Sequence, residues 1–420
     1  MLEGLLAESH VMPFERLPAR VAEHAVAAGF HNVLIYLGDL QRDVLRLLTG
    51  LGTDSAGNLP QGKAELPVEG TVAGRAYQYG QLVPAADRPS DESYGWWVPL
   101  LDGTDRLGVL HVATPSDSTA TRQDMITLAS LVAMLVVGNR DTSDTYARLT
   151  RLRPMNVAAE MQWTLMPPST YADPRVVIGA VMEPAYEVSG DAYDYALAAD
   201  TVHLAVFDAM GHNTSAGITA NLALGACRNH RRQGTRLEDL GDAIEELLLE
   251  QFGPSRYVTG VLAELDTATG VLCWANRGHH PPLVIRGGRW ATLLRCPPSH
   301  PMGADLHLPT QVCREQLEPG DRVVFYTDGI TEARRPGGPE FGLDRFTDFL
   351  IRHHADGLSV PETLRRLTRA LLKHHGGRLQ DDATMLLCEW LGPAGSAGRA
   401  APLAGLPVAD ARQPQRDPSR

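Results

Sequence analysis

The pattern of apolar positions in the C-terminal half predicts buried strands that end in acidic residues. The run from Val202 to Phe207 is apolar except for His203, and it stops at Asp208, three residues before Gly211. An apolar run of this length favours a buried strand. The glycine permits a tight turn that leaves main-chain carbonyls free to face a ligand. The stretch therefore predicts a carboxylate held rigidly at the tip of a buried strand.

Three further acids stand at similar places, each beside a predicted strand: Asp191, Asp328 and Asp381. Carboxylates that converge without basic partners repel one another, and hard divalent cations relieve that repulsion by binding oxygen. We therefore expect the four acids to form a metal-binding cluster. Asp382 is expected to be a solvated neighbour that could exchange roles with Asp381, and Asp194 is expected to be structural.

Periodicity in the N-terminal part predicts a separate α/β domain. The predicted elements are a helix over 15–29, strands over 31–38 and 44–48, a short helix over 69–76, a strand at 81–83, a hairpin of 96–101 with 107–112, and a helix over 122–139. This order resembles a GAF domain over residues 10–140. GAF domains are sensory modules, so the resemblance implies a small-molecule ligand or a homodimer, and a scaffold or dimerisation role is an equal alternative.

A linker is predicted between the two halves, over residues 141–168. Apolar residues at helical spacing follow one side of the stretch from Arg148 to Leu165, and Pro154 divides it into two helical pieces. The linker either transmits a signal or only connects. Residues 393–420 are rich in Gly, Ala, Pro, Arg and Ser, which predicts a disordered tail.

Residues 169–392 are predicted to form an α+β domain of stacked antiparallel sheets flanked by helices. Their strands come in runs and are followed by helices, without strict β-α-β alternation. The length of 420 residues is sufficient for two domains, each with its own core.

Charge and cysteine content exclude several classes of protein. The net charge is −12 and no basic stripe is present, which argues against a nucleic-acid partner. The five cysteines are far apart, so neither a disulfide framework nor a zinc site is expected, as is typical of a reducing cytosol. The most apolar run, from Ile126 to Val137, is too short to span a membrane, and the N-terminus lacks the basic region of a signal peptide. We therefore expect a cytoplasmic protein without a membrane span.

Five motifs occur in an order that points to one family. They lie at residues 187–194, 208–212, 276–282, 326–333 and 381–384. This set resembles the SpoIIE-like branch of the metal-dependent type-2C (PPM) serine/threonine protein phosphatases, over about residues 155–390. The resemblance implies a PPM-type α-β-β-α sandwich that is preceded by the GAF-like α/β sensor domain.

The resemblance also implies a role for each acid. Asp208 would bridge two Mn²⁺ or Mg²⁺ ions, the main-chain carbonyl of Ala209 would bind the first ion, and Asp328 and Asp381 would bind the second. Asp191 would hold the water shell of the first ion or a third ion. Two such cations share a metal-bound hydroxide and neutralise the charge that develops on a phosphoryl group, so no side-chain nucleophile is needed.

The roles expected of the other motif residues are less specific. His212 would serve as a general acid or hydrogen-bond its own loop, and Asn276 and His279 would lie near the active face. Arg277 stands where the family has a small residue. Asn213 stands where it has glycine, so the turn is expected to use the left-handed conformation that Asn tolerates. The pairs His353-His354 and His374-His375 are expected to be solvated.

The expected function is a phosphoserine/phosphothreonine protein phosphatase. By the same resemblance, the substrate would be a phosphorylated anti-sigma-factor antagonist of the STAS class in bacterial signalling. Two alternatives stay open: a catalytically impaired signalling scaffold, and a hydrolase of a small phosphoester.

Overall fold

The fold comes from a computed structural model, which divides the chain into two compact units. The described residues are 2–50, 64–85, 93–184, 186–211, 213–334, 338–376, 379 and 381–393. Within them, the first unit contains 2–38 and 43–145, and the second contains 39–42 and 146–393. The predicted domain boundaries at residues 140, 168 and 392 stay predictions. The predicted disordered tail, residues 393–420, falls almost wholly outside the described residues.

The first unit is a twisted antiparallel sheet with helices. Its helices are α1 (Leu2–Ser9), α2 (Leu17–Val26), α3 (Val72–Tyr79) and α4 (Thr119–Arg140). Its strands are β1 (His31–Gly38), β2 (Val44–Leu47), β3 (Glu65–Pro67), β4 (Val83–Pro84), β5 (Tyr94–Asp102) and β6 (Asp105–Thr114). Among the described residues these six strands pair in the order β3-β2-β1-β6-β5-β4. The predicted order of elements is confirmed, with α1 and β3 added, and the GAF-like character of this unit stays a prediction.

Helix α4 is longer than its apolar run suggested. It has 22 residues and is long and apolar enough to cross a membrane by length and composition alone. The expectation of no membrane span rested on the apolar run from Ile126 to Val137, and the helix extends that run at both ends. One such helix is weak evidence for a span, since core helices pass the same test, and α4 buries Leu128, Val132 and Val136 within the unit.

The second unit contains two antiparallel sheets. Its strands are β7 (Thr170–Ala172), β8 (Val176–Glu183), β9 (Asp191–Ala198), β10 (Thr201–Ala209), β11 (Val258–Asp266), β12 (Val271–Arg277), β13 (Leu283–Arg286), β14 (Trp290–Leu293), β15 (Val312–Gln316), β16 (Arg322–Tyr326) and β17 (Ala383–Trp390). Among the described residues one sheet has the order β15-β12-β11-β10-β9 and the other β14-β13-β16-β17-β8-β7.

Helices cover both outer faces of the paired sheets. From the unit boundary onward they are α5 (Asp144–Thr150), α6 (Val157–Leu165), α7 (Thr214–Arg232), α8 (Leu237–Phe252), α9 (Asp328–Thr331), α10 (Leu343–Ala355) and α11 (Val360–His375). Helices α7 and α8 share an apolar cluster with the five-stranded sheet. Helix α11 lies so close to the six-stranded sheet that a Cβ on Gly179 would be 2.6 Å from Val360. This layering confirms the predicted α-β-β-α fold class.

Strand β10 is buried on both faces, which explains why polar and apolar residues do not alternate along it. Val202, Leu204 and Val206 belong to the core between the two sheets. Ala205 and Phe207 belong to the core beneath α7 and α8. The predicted buried strand is therefore confirmed, and its coverage on both faces explains the continuous apolar run.

The linker forms the two predicted helical pieces, α5 and α6, separated around Pro154. The buried face of α6 differs from the predicted apolar face. Ala158, Ala159 and Gln162 are buried, whereas the apolar Met161 is 53% exposed. Small residues face inward, which allows α6 to pack closely within the second unit.

The structure pairs two cysteines that the sequence left unpaired. Cys296 and Cys313 form a disulfide, with Cα atoms 5.8 Å apart. The expectation that no disulfide forms is therefore wrong. The chain reverses between these residues, and a spacing of 17 positions does not reveal such a reversal.

Candidate metal centre and active site

Two strands of the five-stranded sheet place Asp191 and Asp208 side by side. Asp208 on β10 is the direct partner of Asp191 at the start of β9. Gly190 packs tightly against the turn that follows Asp208. A Cβ on Gly190 would lie 2.3 Å from the carbonyl oxygen of Gly211 and 2.7 Å from that of Ala209. Only glycine leaves these carbonyls in place, so the close approach fixes the turn that carries the predicted main-chain ligand.

Two strands of the other sheet bring Asp328 and Asp381 to the same edge. Asp328 begins α9 and is separated by one residue from the end of β16, and Asp381 lies just before β17. The side-chain oxygen of Thr327 accepts a hydrogen bond of 2.9 Å from the main-chain N–H of Thr384, which ties the two strand ends together. Gly329 packs against the main chain of Asp382, where a Cβ would lie 1.8 Å from the carbonyl oxygen.

Hydrogen bonds join the acids of one sheet to the other sheet. The Thr327 hydroxyl donates to the Asp191 carboxylate over 2.7 Å. The main-chain N–H of Gly190 donates to the Asp382 carboxylate over 2.5 Å. Asp382 is buried and bonded, so its predicted solvated character is wrong, whereas Asp381 is exposed and available to a ligand. Sequence reasoning missed Thr327, whose only signal is a hydroxyl directly before a strand-end acid.

The gathered carboxylates perturb one another strongly. Burial raises the pKa of Asp208 to about 7, and the charges of Asp328, Asp381 and Asp382 contribute to the rise. Burial and the charges of Asp208 and Asp382 also raise the pKa of Asp191 well above its usual range, while the hydrogen bond from Thr327 opposes the rise. Excess negative charge at this edge of the sheets is the physical condition that a bound cation relieves.

The donor chemistry of the site fits a hard divalent cation. Carboxylate and main-chain carbonyl oxygens are the ligands that Mg²⁺ and Mn²⁺ prefer. Within the described parts of the chain, however, no three His, Cys, Asp or Glu side chains already stand in a ligating arrangement. Asp191 is bonded to Thr327, and Asp381 accepts a 2.9 Å hydrogen bond from the main chain of Asp382. Binding therefore requires some of these carboxylates to rotate toward the ion.

The polar side chain of Gln162 holds the loop that carries Asp191. Its side-chain nitrogen donates to the carbonyl oxygens of Ser189 and Asp191 over 3.0 and 2.5 Å, and its oxygen accepts from the main chain of Ser189 over 3.1 Å. Gln162 is fully buried. Its position within a predicted linker helix hid this contribution in the sequence.

The turn after Asp208 is only partly described. His212 lies outside the described residues, so its predicted role stays a prediction. Asn213 is the N-cap of α7, where its side-chain oxygen accepts a 3.1 Å hydrogen bond from the main-chain N–H of Ala216. Its backbone is extended, with φ of −113°, so the expected left-handed conformation is wrong. An N-cap needs an extended backbone, which explains the presence of Asn at this position.

Asn276 and His279 form a compact hydrogen-bonded loop at the end of β12. The Asn276 side chain donates to the His279 carbonyl and accepts from its N–H, both over 2.8 Å. His279 Nε2 lies 3.0 Å from the carbonyl oxygen of Tyr326, and Nδ1 lies 2.9 Å from Thr259 Oγ1. Burial lowers the pKa of His279 to about 4, so the neutral ring donates from Nε2 and accepts at Nδ1. Both ring nitrogens are occupied, which favours a positioning role over a catalytic one.

His279 connects the strands that carry the metal-site acids. Thr259 on β11 pairs directly with Asp208. Tyr326 on β16 lies two residues before Asp328. The ring therefore bridges the two sheets beside the acid cluster.

Arg277 points away from the active face. Its guanidinium is fully buried and bonds Asp242, Glu245 and Thr310 over 2.6, 2.8 and 2.6 Å. Gly241 leaves room for it, since a Cβ there would lie 3.0 Å from the guanidinium. A long side chain thus replaces a small one without entering the site. Asp194 is similarly structural, since it is buried in ion pairs with two arginines of α7.

A cleft of about 260 Å³ opens beside the acids. Its lining residues are Gly329, Glu332, Ala333, Arg334, His375, Leu379 and Asp381. His375 is buried in the wall of this cleft, so its predicted solvated character is wrong. The packing of α11 against the sheet places it there, and the adjacent-histidine pattern did not indicate this.

Comparisons with known proteins agree with the geometry. Residues 198–391 match the family described as Stage II sporulation protein E (SpoIIE). The chain is 23% identical over 234 residues to phosphoserine phosphatase RsbU of Bacillus subtilis, a match that covers 56% of this chain and 69% of RsbU. It is 26% identical over 242 residues to protein IcfG of Synechocystis sp., covering 50% of this chain but only 37% of IcfG.

Solved structures also overlap the chain in part. The SiaA-PP2C domain of Pseudomonas aeruginosa has a TM-score of 0.48 at 21% identity, covering 55% of this chain and 94% of that domain. The PP2C phosphatase domain of SpoIIE from Bacillus subtilis, solved with a fragment of its regulatory domain, has a TM-score of 0.42 at 22% identity, covering 51% and 62%. Residues 198–391 thus match the SpoIIE family, and the second unit, which contains them, is similar to SpoIIE-like serine phosphatases such as RsbU.

Proposed function

We propose that this chain hydrolyses phosphoserine and phosphothreonine in a phosphoprotein, using two Mn²⁺ or Mg²⁺ ions held by its acid cluster. The observation that carries the proposal is the convergence of acids from the two sheets, in which Asp191 pairs with Asp208 and is bonded to Thr327 beside Asp328. A cluster that is unfavourable when empty and ionised becomes favourable when cations neutralise it.

Each acid has a proposed part in holding the ions. Asp208 would contribute to holding both ions, the carbonyl of Ala209 would hold the first, and Asp328 and Asp381 would hold the second. Asp191 holds the water shell of the first ion or a third ion, in keeping with its burial and its bond to Thr327. When bound, such a pair of cations supplies a nucleophile from water at neutral pH and neutralises charge on the phosphoryl group.

Other residues hold the acids in position. Gly190 allows the carbonyl of Ala209 to stay at the site, and Thr327 ties the two sheets. His279 and Asn276 brace the strands behind Asp208 and Asp328, and we assign them positioning roles. His212 is retained as a general acid or as a hydrogen-bonding residue of its loop.

The substrate of the proposal is a phosphorylated anti-sigma-factor antagonist of the STAS class. It rests on the family resemblance, and the relative RsbU carries the name phosphoserine phosphatase. The GAF-like unit would regulate this activity through a small molecule or a second copy of the chain. A cytoplasmic location is part of the same proposal.

The test is manganese-dependent phosphate release from a phosphoserine protein by the full chain and its variants. Asp208→Asn and Asp328→Asn are expected to lower turnover by at least about 100-fold, because each removes an anionic ligand from a two-metal site. Asp348→Asn, an exposed acid on α10, is the matched control and should act as the wild type.

Two results would separate the alternatives. Turnover of both variants within a few-fold of the wild type, at saturating Mn²⁺, would refute the assignment of the acids. Equal wild-type turnover of an aryl phosphate and of the phosphoprotein would favour a hydrolase of small phosphoesters, and no turnover of either would favour a scaffold.

A further inference from the structure

The cleft beside the acids has a wall that the proposed metal chemistry does not use. Gly329, directly after Asp328, and Asp381 line it. Arg334 and His375 line the same cleft. A group bound beside Asp381 would therefore face a space that Arg334 also lines.

Arg334 combines a fixed main chain with an accessible side chain. Its backbone pairs with Glu340 in an antiparallel bridge. The neighbouring carbonyl of Ala333 accepts a 2.7 Å hydrogen bond from the N–H of Phe341. The Arg334 side chain is 60% exposed. The guanidinium can therefore change partner without any movement of the chain that carries it.

The present partner of Arg334 holds it weakly. The guanidinium lies 3.4 Å from the carboxylate of Glu340, and both side chains are at least half exposed. Exposed ion pairs of this kind contribute little to stability, so exchanging Glu340 for another anion costs little. A phosphoryl group offers the guanidinium two oxygens in the fork geometry that arginine prefers.

We propose that Arg334 is the phosphate-binding residue of this active site and that the cleft is the subsite for the phosphorylated residue of the substrate. The proposal rests on the proposed function and adds the residue that recognises the phosphoryl group. Glu332 is exposed on the same wall and repels an anion, so Arg334 also offsets this charge. Asp381 is neutralised when the cations bind.

The experiment compares Arg334→Ala, Arg334→Lys and Glu340→Gln in the full chain at saturating Mn²⁺. Two readouts are used: KM and kcat for a phosphoserine peptide, and the Kd of inorganic phosphate by calorimetry, which does not depend on turnover. We expect Arg334→Ala to raise both KM and Kd about 10- to 100-fold, the effect of losing a charge-assisted hydrogen bond. Arg334→Lys should recover part of the loss, because it restores the charge but not the fork.

Glu340→Gln is the matched control, since it removes the same ion pair and keeps the guanidinium. It is expected to leave the Kd of phosphate unchanged or to lower it. Equal losses in Arg334→Ala and Glu340→Gln would overturn the proposal, because the ion pair would then serve only to hold the loop. Wild-type phosphate affinity in Arg334→Ala, or no phosphate binding by the wild type, would overturn it as well.

The two proposals fail in different ways. A wild-type chain without manganese-dependent turnover would refute the proposed function, while the calorimetric comparison would still decide the role of Arg334. A fully active wild type with an Arg334→Ala variant of unchanged KM and Kd would refute the subsite alone.

Discussion

Replacing Asp208 by Asn should stabilise the metal-free protein above neutral pH while it destroys the metal site. The pKa of Asp208 is about 7 in the folded chain, against an ordinary value of 3.8. A difference of about 3 pKa units corresponds to about 4 kcal/mol of unfolding free energy. The raised pKa means that the folded state retains a proton which the unfolded state has released. The unfolding free energy therefore falls as the pH rises from about 4 to about 7.

The substitution removes this penalty, so its effect must depend on pH. Below about pH 4 both states are protonated, and the Asp208→Asn variant should match the wild type. At pH 8 in EDTA the variant should be more stable by up to about 4 kcal/mol, which for a unit of this size raises Tm by roughly 10 °C. The charge of Asp208 also raises the pKa of Asp191, so its removal further stabilises the metal-free variant.

The assay is thermal unfolding in EDTA at pH 4, 6 and 8, repeated with saturating Mn²⁺. With Mn²⁺ the order should reverse, because the wild type gains binding energy that the variant lacks. Asp348→Asn serves as the control for loss of one negative charge at an exposed position. An Asp208→Asn variant that is equal to or less stable than the wild type at pH 8 in EDTA would refute the reasoning.

Two further substitutions test the packing around the site. Gly190→Ala should cost about 1–3 kcal/mol of stability by overpacking and weaken Mn²⁺ binding, because its Cβ meets two main-chain oxygens at 2.7 Å or less. Gly225→Ala, in α7 with nothing within 4 Å of the added Cβ, should instead stabilise by up to about 1 kcal/mol, and equal melting temperatures for the two variants would contradict the steric argument. Arg277→Met should cost about 3–5 kcal/mol because it removes the buried cation that pairs with Glu245, which then keeps only its hydrogen bonds with His300 and the main chain of Asp305. Urea denaturation of Arg277→Met with and without Glu245→Gln measures this coupling, and no recovery in the double variant would count against it.

The sequence predicted the acid cluster because its determinants are local. Asp208 ends a strand that is buried on both faces, and such a strand has an apolar signature that needs no partner to be recognised. The α-β-β-α layering followed from runs of strands and helices in the same way. The same strand-end pattern placed Asp328 and Asp381, and the order of the motifs then indicated the family.

The remaining features depend on contacts between distant segments. The pairing of Cys296 with Cys313, the burial of His375 and the inward direction of Arg277 each need the tertiary fold to be known. The apolar spacing predicts that Met161 faces inward, but Met161 is exposed. Helix α6 buries small residues and Gln162 instead of its apolar side. Asn213 was predictable from its N-capping preference, and the comparison with a glycine in the family obscured it.

We propose that the acid cluster binds divalent cations and that these ions make the chain a phosphatase. A manganese titration of the metal-free full chain decides this, with bound Mn²⁺ and phosphate release from a phosphoserine protein measured on the same samples. We expect at least two Mn²⁺ per chain, with turnover that appears only as the second ion binds. Turnover that persists in EDTA, or a chain that binds no Mn²⁺, would contradict it.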